Sequence, residues 1–143
     1  MSGTIETKYE SDPRSGYLTE ILVEGAAYGV GLNISRPMTP LRYDQIWDLG
    51  HKLLRVQVKH SNPLVKNDIV YGLEFKSDGY NSEEIDGFAT YFEDKLYYIP
   101  IKESANITKL YFIVDSQISD FKWAEDYEVN SRKKLKKIIN RCS

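Results

Sequence analysis

The chain has 143 residues, a formal net charge of −2, 41% hydrophobic and 28% charged residues. That is a globular composition long enough for one domain with its own core. It is too near neutral for a wholly electrostatic nucleic-acid binder, so a polyanion would have to meet a local basic patch.

A single cysteine, Cys142, excludes an intrachain disulfide and zinc-finger spacing, and two histidines, His51 and His60, exclude a histidine-rich metal site. No apolar run approaches the length of a membrane span. The opening "MSGTIETKYESDPRSG" is polar and lacks the apolar centre of a secretory signal, so a cytoplasmic location is the expectation.

In chain order, residues 1–16 read as a flexible lead-in, punctuated by Pro13 and Gly16, and 17–143 as a single domain. From Tyr17 the pattern turns helical: Leu18, Ile21, Leu22 and Ala26 recur at three- and four-residue spacing, and Gly29 and Gly31 close the segment. Glu20 and Glu24 stand one turn apart on that helix. Four extended runs follow, "VGLNISRP", "LRYDQIWD", "KLLRVQVKH" and "IVYGLEFKS", the second and third joined by the hairpin-sized "LGH". Residues 77–84, "SDGYNSEE", form a polar loop. "IDGFATYFED", "KLYYIPIKE" and "TKLYFIVD" read as further strands, the first of them with a short helix as the alternative. "WAEDYEVNSRKKLKKIINR" reads as a basic amphipathic C-terminal helix. The layout is mixed α/β or α+β in one domain.

The two runs around "LGH" carry the chemistry. Leu54, Val56 and Val58 alternate with Arg55, Gln57 and Lys59, so Gln57 and Lys59 emerge on one face of a strand. A hairpin sets Asp44 beside that end of its partner, with Glu20 of the helix packing over them. A carboxylate is a hard oxygen donor of the kind Mg²⁺ prefers, and Mg²⁺ is commonly held by one or two carboxylates plus waters and substrate phosphate. Such an ion polarises a phosphoryl oxygen, and an ammonium beside it stabilises developing charge. Gln57 reaches a cation only through a neutral amide oxygen, so Glu20 supplies the missing negative charge. Glu24 competes with Glu20 for this role; Asp48 and Asp86 read as solvated or turn-capping residues, and His60 points to the other face.

Asp44, then "QVK" beginning thirteen residues on, with Glu20 in the preceding helix, resembles the PD-(D/E)XK nuclease site in its variant with Gln at the second acidic position. More specifically, the chain resembles the group I intron-associated homing endonucleases of that superfamily. The likeness runs from "GYLTEILVEGAAYGVGLNISRP" through "RYDQIWD" and "RVQVKHSN" to "EEIDGFATYFEDKLYYIPI", roughly residues 16 to 103.

The resemblance implies a restriction-endonuclease-like αβββαβ core with a mixed sheet, extended here by extra strands and the basic C-terminal helix. It further implies Mg²⁺-dependent cleavage of double-stranded DNA, with Mn²⁺ as a substitute, and a homodimer or homotetramer. Position by position, Asp44 matches the metal-binding aspartate, Gln57 the second motif residue, Lys59 the motif lysine and Glu20 the acidic residue of the first helix. The backbone carbonyl of Val58 is a further metal ligand to expect. One departure is plain: Tyr43 stands where the motif has proline before the aspartate.

Arg36, Arg42, Arg55 and Lys66 are candidates for phosphate contacts. In the last helix Arg132, Lys133, Lys136 and Lys137 either form a solvated face or lie along a DNA backbone. Eleven tyrosines and two tryptophans exceed the needs of a small core and fit an oligomer interface or base stacking. A junction resolvase or restriction-type nuclease would use the same core. From another class, a non-catalytic DNA-binding or assembly module would keep the fold and lose the activity.

Overall fold

In a computed structural model the described residues are 13–113 and 121–141. The expected lead-in falls mostly on residues 1–12, and Cys142 beyond the other end, outside the described residues. Helix α1 spans Pro13–Gly29 and so starts before Tyr17. Proline suits a first turn, where its missing N–H has no helical partner anyway. The helix ends as a Schellman motif: the Leu32 amide bonds the Ala27 carbonyl (3.1 Å), the Gly31 amide the Tyr28 carbonyl (2.9 Å), and Gly31 takes φ 91°.

Strands β1 (Asn33–Ser35), β2 (Gln45–Asp48) and β3 (Leu53–Val58) form an antiparallel meander. In its turn Gly50 has φ 92° and donates to Asp48 Oδ1 at 2.7 Å, so Asp48 caps the turn. Strands β4 (Asn62–Lys66) and β5 (Ile69–Lys76) form a hairpin whose turn residues Asn67 and Asp68 both have positive φ, 53° and 62°. The sequence reading missed β4, because "NPLVK" has a proline and no clean alternation. Strands β6 (Gly87–Phe92) and β7 (Lys95–Pro100) pair through Glu93 and Asp94, and β8 spans Ile107–Tyr111.

One sheet has the order β1-β2-β3-β6-β7, with β3 and β6 parallel; the other has the order β4-β5-β8. The β4–β5 hairpin lies on the connection from β3 to its parallel neighbour β6. Phe75 of β5 packs on Phe88 of β6, centroids 5.7 Å apart, so the sheets share one core. Helix α1 crosses one face of the larger sheet, touching β1, β3, β6 and β7. The fold is mixed α/β, with parallel and antiparallel pairs in one sheet.

Residues 123–141 do not make one helix. A 3-10 turn covers Ala124–Tyr127, then the Val129 amide donates to the Leu96 carbonyl (2.7 Å), and helix α2 spans only Arg132–Asn140. Ser131 caps α2 by accepting from the Lys134 amide. The stretch before the cap is drawn onto the β7 edge because Tyr127 and Val129 are buried there.

Candidate active site

The residues are placed by register. Gln45 pairs with Val56, which sets Asp44, one residue upstream, opposite Gln57. The Asp44 amide donates to the Val56 carbonyl (2.9 Å), and Asp44 Oδ2 accepts from the Val58 amide (3.0 Å). Backbone and side chain of the aspartate are thus both pinned across the end of β3. Gln57, with its amide oriented to satisfy both ends, donates from Nε2 to Asp44 Oδ2 (3.2 Å) and to the Arg42 carbonyl (2.6 Å). Its Oε1 accepts from the Tyr80 hydroxyl (3.1 Å). Gln57 therefore orients the aspartate.

Lys59 follows at the same strand end. Its Nζ lies 4.8 Å from the centre of the Tyr80 ring, and its charge acts on Asp44. Burial raises the Asp44 carboxyl above the usual aspartate range, against the opposing pull of the Val58 N–H and of Lys59. Glu20 on α1 is raised as well, first by burial and next by the negative charge of Asp44; Arg36 opposes this and Glu24 adds to it. A carboxyl raised by burial and by a neighbouring carboxylate marks a place short of positive charge. Glu24 is engaged elsewhere: its Oε2 accepts from Arg36 Nε at 2.7 Å.

Glu20, Asp44, Gln57, Val58 and Lys59 are thus brought together; of the phosphate-contact candidates, Arg36 acts on Glu20 and Arg42 shares the Tyr80 ring with Lys59, each held in an ion pair. Arg42 pairs with Glu84 (3.1 Å), donates to the Gly79 carbonyl and stacks 4.1 Å over Tyr80. Arg55 grips Asp86 (3.2 Å) and donates to the Ser82 carbonyl. Both arginines therefore hold the 79–86 loop, which explains the positive face of this strand region. Lys66 is exposed at the end of β4.

Helix α2 sits at the opposite end of β3, where Arg132 donates to the Leu49 carbonyl of the β2–β3 turn (2.9 Å). Lys136 lines a cleft of about 440 Å³ there with Lys52 and Lys102. Lys133 and Lys137 are exposed on the same helix. A six-residue strand separates this pole from Lys59, roughly 20 Å.

Two residues of the site escaped the sequence reading. Gln45 is buried, donates from Nε2 to the Glu20 carbonyl (2.9 Å) and accepts from Trp47 Nε1 (3.0 Å), locking α1 onto β2 at the level of Glu20. Tyr80 carries two cations and the Gln57 amide; an aromatic alone in the polar "SDGYNSEE" was the only sign of it.

The sequence profile of the PD-(D/E)XK endonucleases matches residues 7–130. The chain belongs to the PD-(D/E)XK endonuclease family. It is accordingly a nuclease, a hydrolase acting on DNA, from a family that generally uses divalent metal ions. In fold it is similar to a bacterial homing endonuclease, I-Ssp6803I, with a TM-score of 0.64 and 20% identity over 92% of this chain and 96% of that one. No curated protein sequence matches it. No helix among the described residues is long and apolar enough to cross a membrane.

A divalent ion fits the donors present. No group of three or more His, Cys, Asp or Glu side chains gathers among the described residues, so an all-protein cage is absent from that part of the chain. Two carboxyls, Asp44 and Glu20, the second raised by burial and by the charge of the first, are a donor set for an ion that keeps part of its water shell, as Mg²⁺ does.

Proposed function

We propose that the chain is a Mg²⁺-dependent endonuclease, with Mn²⁺ as a substitute, that hydrolyses phosphodiester bonds in double-stranded DNA. It works as a homodimer or homotetramer, and the likeness to I-Ssp6803I favours a homing role. The observation that carries this reading is Asp44, held by the Val58 amide and Gln57 with Glu20 and Lys59 beside it.

Asp44 and Glu20, with the Val58 carbonyl, are the ligands assigned to the ion. When bound, the ion neutralises charge on the scissile phosphate. Lys59 orients the attacking water and stabilises the charge that builds on the phosphoryl oxygens as the P–O bond breaks. Gln57 keeps the Asp44 carboxylate aimed, and Gln45 keeps Glu20 at its level. Lys66 and Arg36 are assigned to the DNA backbone near the site. Arg42 and Arg55 serve DNA through the Tyr80 loop they brace, and Arg132, Lys133, Lys136 and Lys137 are available only to a duplex that reaches the far pole.

Supercoiled plasmid incubated with the protein and Mg²⁺ is expected to be nicked or linearised, and Asp44→Ala and Lys59→Ala to lose this while still binding DNA. Binding by the parent with no cleavage under Mg²⁺ or Mn²⁺ would instead establish a non-catalytic module. Sequencing the ends released from a random-site library separates a site-specific homing or restriction enzyme from a junction resolvase.

A further inference from the structure

The cleft of about 440 Å³ at the far pole has a cationic rim and an apolar floor. Lys52 reaches it from the β2–β3 turn, Lys102 from the 3-10 turn Ile101–Glu103 after β7, and Lys136 from α2. All three are exposed, and among the described residues none of them is in an ion pair. The carboxylates nearby are engaged with other groups. Asp86, which also lines the cleft, is held by Arg55 at 3.2 Å. Glu103, next to Lys102, accepts from the Tyr127 hydroxyl (2.6 Å) and faces Arg141 at 3.9 Å. Three positive charges thus converge uncompensated on one concavity, in a chain whose formal net charge is −2. A cleft of one sign with low-dielectric walls focuses its field and draws in counter-charge. Here the walls are apolar: Leu54, Ile85 and Tyr98 are buried beneath the cleft, and Ile139 is half-buried at its side.

We propose that this cleft binds a nucleotide carrying a phosphate monoester, with the phosphate among Lys52, Lys102 and Lys136 and the base over the apolar floor. A phosphate monoester bears about −1.5 to −2 charges at neutral pH, more than the single charge of a phosphodiester, and three ammonium groups match it. Lysine meets phosphate as a point charge on a flexible stem, so three lysines from three elements can close on one group. The volume lies in the range of small-molecule sites, about 300–1,000 Å³, which join an apolar lining to a few convergent polar groups. A bare anion would use the rim and leave the floor wet. A duplex presents its phosphates on a convex surface with the bases stacked inside, so it too would leave the floor empty. The same chemistry has two sources: a free nucleoside monophosphate, and the phosphorylated end of a DNA strand whose last base is unpaired.

The length of β3 separates the cleft from Lys59 by roughly 20 Å. Binding there uses neither Asp44 nor Lys59 and stands whether or not the chain cuts DNA.

The test is calorimetric titration of the full chain in EDTA. The probes are adenosine 5′-monophosphate, adenosine, inorganic phosphate, and a DNA trinucleotide with and without a 5′-phosphate. The monophosphate is expected to bind at least tenfold more tightly than adenosine or phosphate alone. Lys102→Glu and Lys136→Glu are each expected to weaken it at least tenfold with unchanged circular dichroism. Lys76→Glu, exposed at the end of β5 in the other sheet, and Asp44→Ala are expected to leave the affinity alone. A phosphorylated trinucleotide that binds and competes with the monophosphate, while its unphosphorylated form does not, assigns the cleft to strand ends as well; a monophosphate that binds without such competition assigns it to the free nucleotide. No binding of either phosphorylated probe, or phosphate alone binding as tightly as the monophosphate, would overturn the proposal. So would an equal loss in Lys76→Glu, which would mark general charge attraction, or a loss in Asp44→Ala, which would put the nucleotide in the catalytic site.

Discussion

Replacing Gln57 with glutamate separates the two roles of that position. The amide now donates to Asp44 Oδ2 at 3.2 Å and to the Arg42 carbonyl at 2.6 Å. A carboxylate there turns both contacts from donor–acceptor into acceptor–acceptor. Two unit charges at that distance repel by about 5 kcal/mol at an effective dielectric of about 20. The pair escapes most of this by taking up a proton. The metal-free loss therefore settles near the 1–3 kcal/mol of a broken, partly buried polar contact, a fall in Tm of roughly 3–10 °C for a domain of this size. A bound divalent cation reverses the sign, because it meets a third carboxylate. Mg²⁺ affinity is expected to rise about tenfold, equivalent to about 1.4 kcal/mol. Thermal unfolding of Gln57→Glu in EDTA and across a Mg²⁺ titration measures both. An EDTA Tm equal to the parent's, with the same Mg²⁺ midpoint, would show that position 57 touches neither Asp44 nor the ion.

Asp44 and Glu20 both titrate above their unfolded values, so in that window the folded state holds protons that the unfolded chain has released. Their contribution is complete below the unfolded values and is lost as pH rises through the folded ones. Metal-free urea unfolding should show stability declining just above the ordinary carboxylate range. Asp44→Asn should flatten that decline, Mg²⁺ should offset it at higher pH, and an unchanged profile in Asp44→Asn would contradict the assignment. Tyr80→Phe removes one hydrogen bond, worth about 1 kcal/mol, and is expected to lower kcat about fivefold. Tyr80→Leu also removes the ring under Lys59 and Arg42, each contact worth about 0.5–1 kcal/mol, and should lower kcat at least tenfold; equal losses would assign the whole effect to the hydroxyl. Thr90 is fully buried and its Oγ1 has no hydrogen-bond partner among the described residues. Thr90→Val keeps the shape and drops the stranded hydroxyl, so chemical denaturation should show a gain of about 1 kcal/mol; a loss of that size would reveal a hidden partner.

Much of this protein was legible in local pattern. The alternation of "LLRVQV" fixes which side chains of β3 are buried and which are shared with the site, because a strand has a strict period of two. The turn around Gly50 ties Asp44 to Gln57, since a hairpin's register follows from its turn. Helix α1 and the strand character of "IDGFATYFED" belong to the same class of local inference, and the family's motif was carried by a few residues close in sequence. The rest depends on contacts between distant segments. The β4–β5 hairpin forms because β5 finds β8 at its other edge, and the C-terminal region breaks in two because Val129 is worth more on the edge of β7 than inside a helix.

Tyr80, a member of the "SDGYNSEE" loop by sequence, becomes the support of Lys59 only because Arg42 and Arg55 clamp that loop from two other strand regions. The same holds for the choice between Glu20 and Glu24: the helical period puts both on one face, and only the position of Arg36 engages the second and leaves the first to Asp44. Sequence by itself determined the faces of each element, since the backbone period sets them. Tertiary structure decided which of those faces meet, because that depends on burial and charge pairing between residues tens of positions apart.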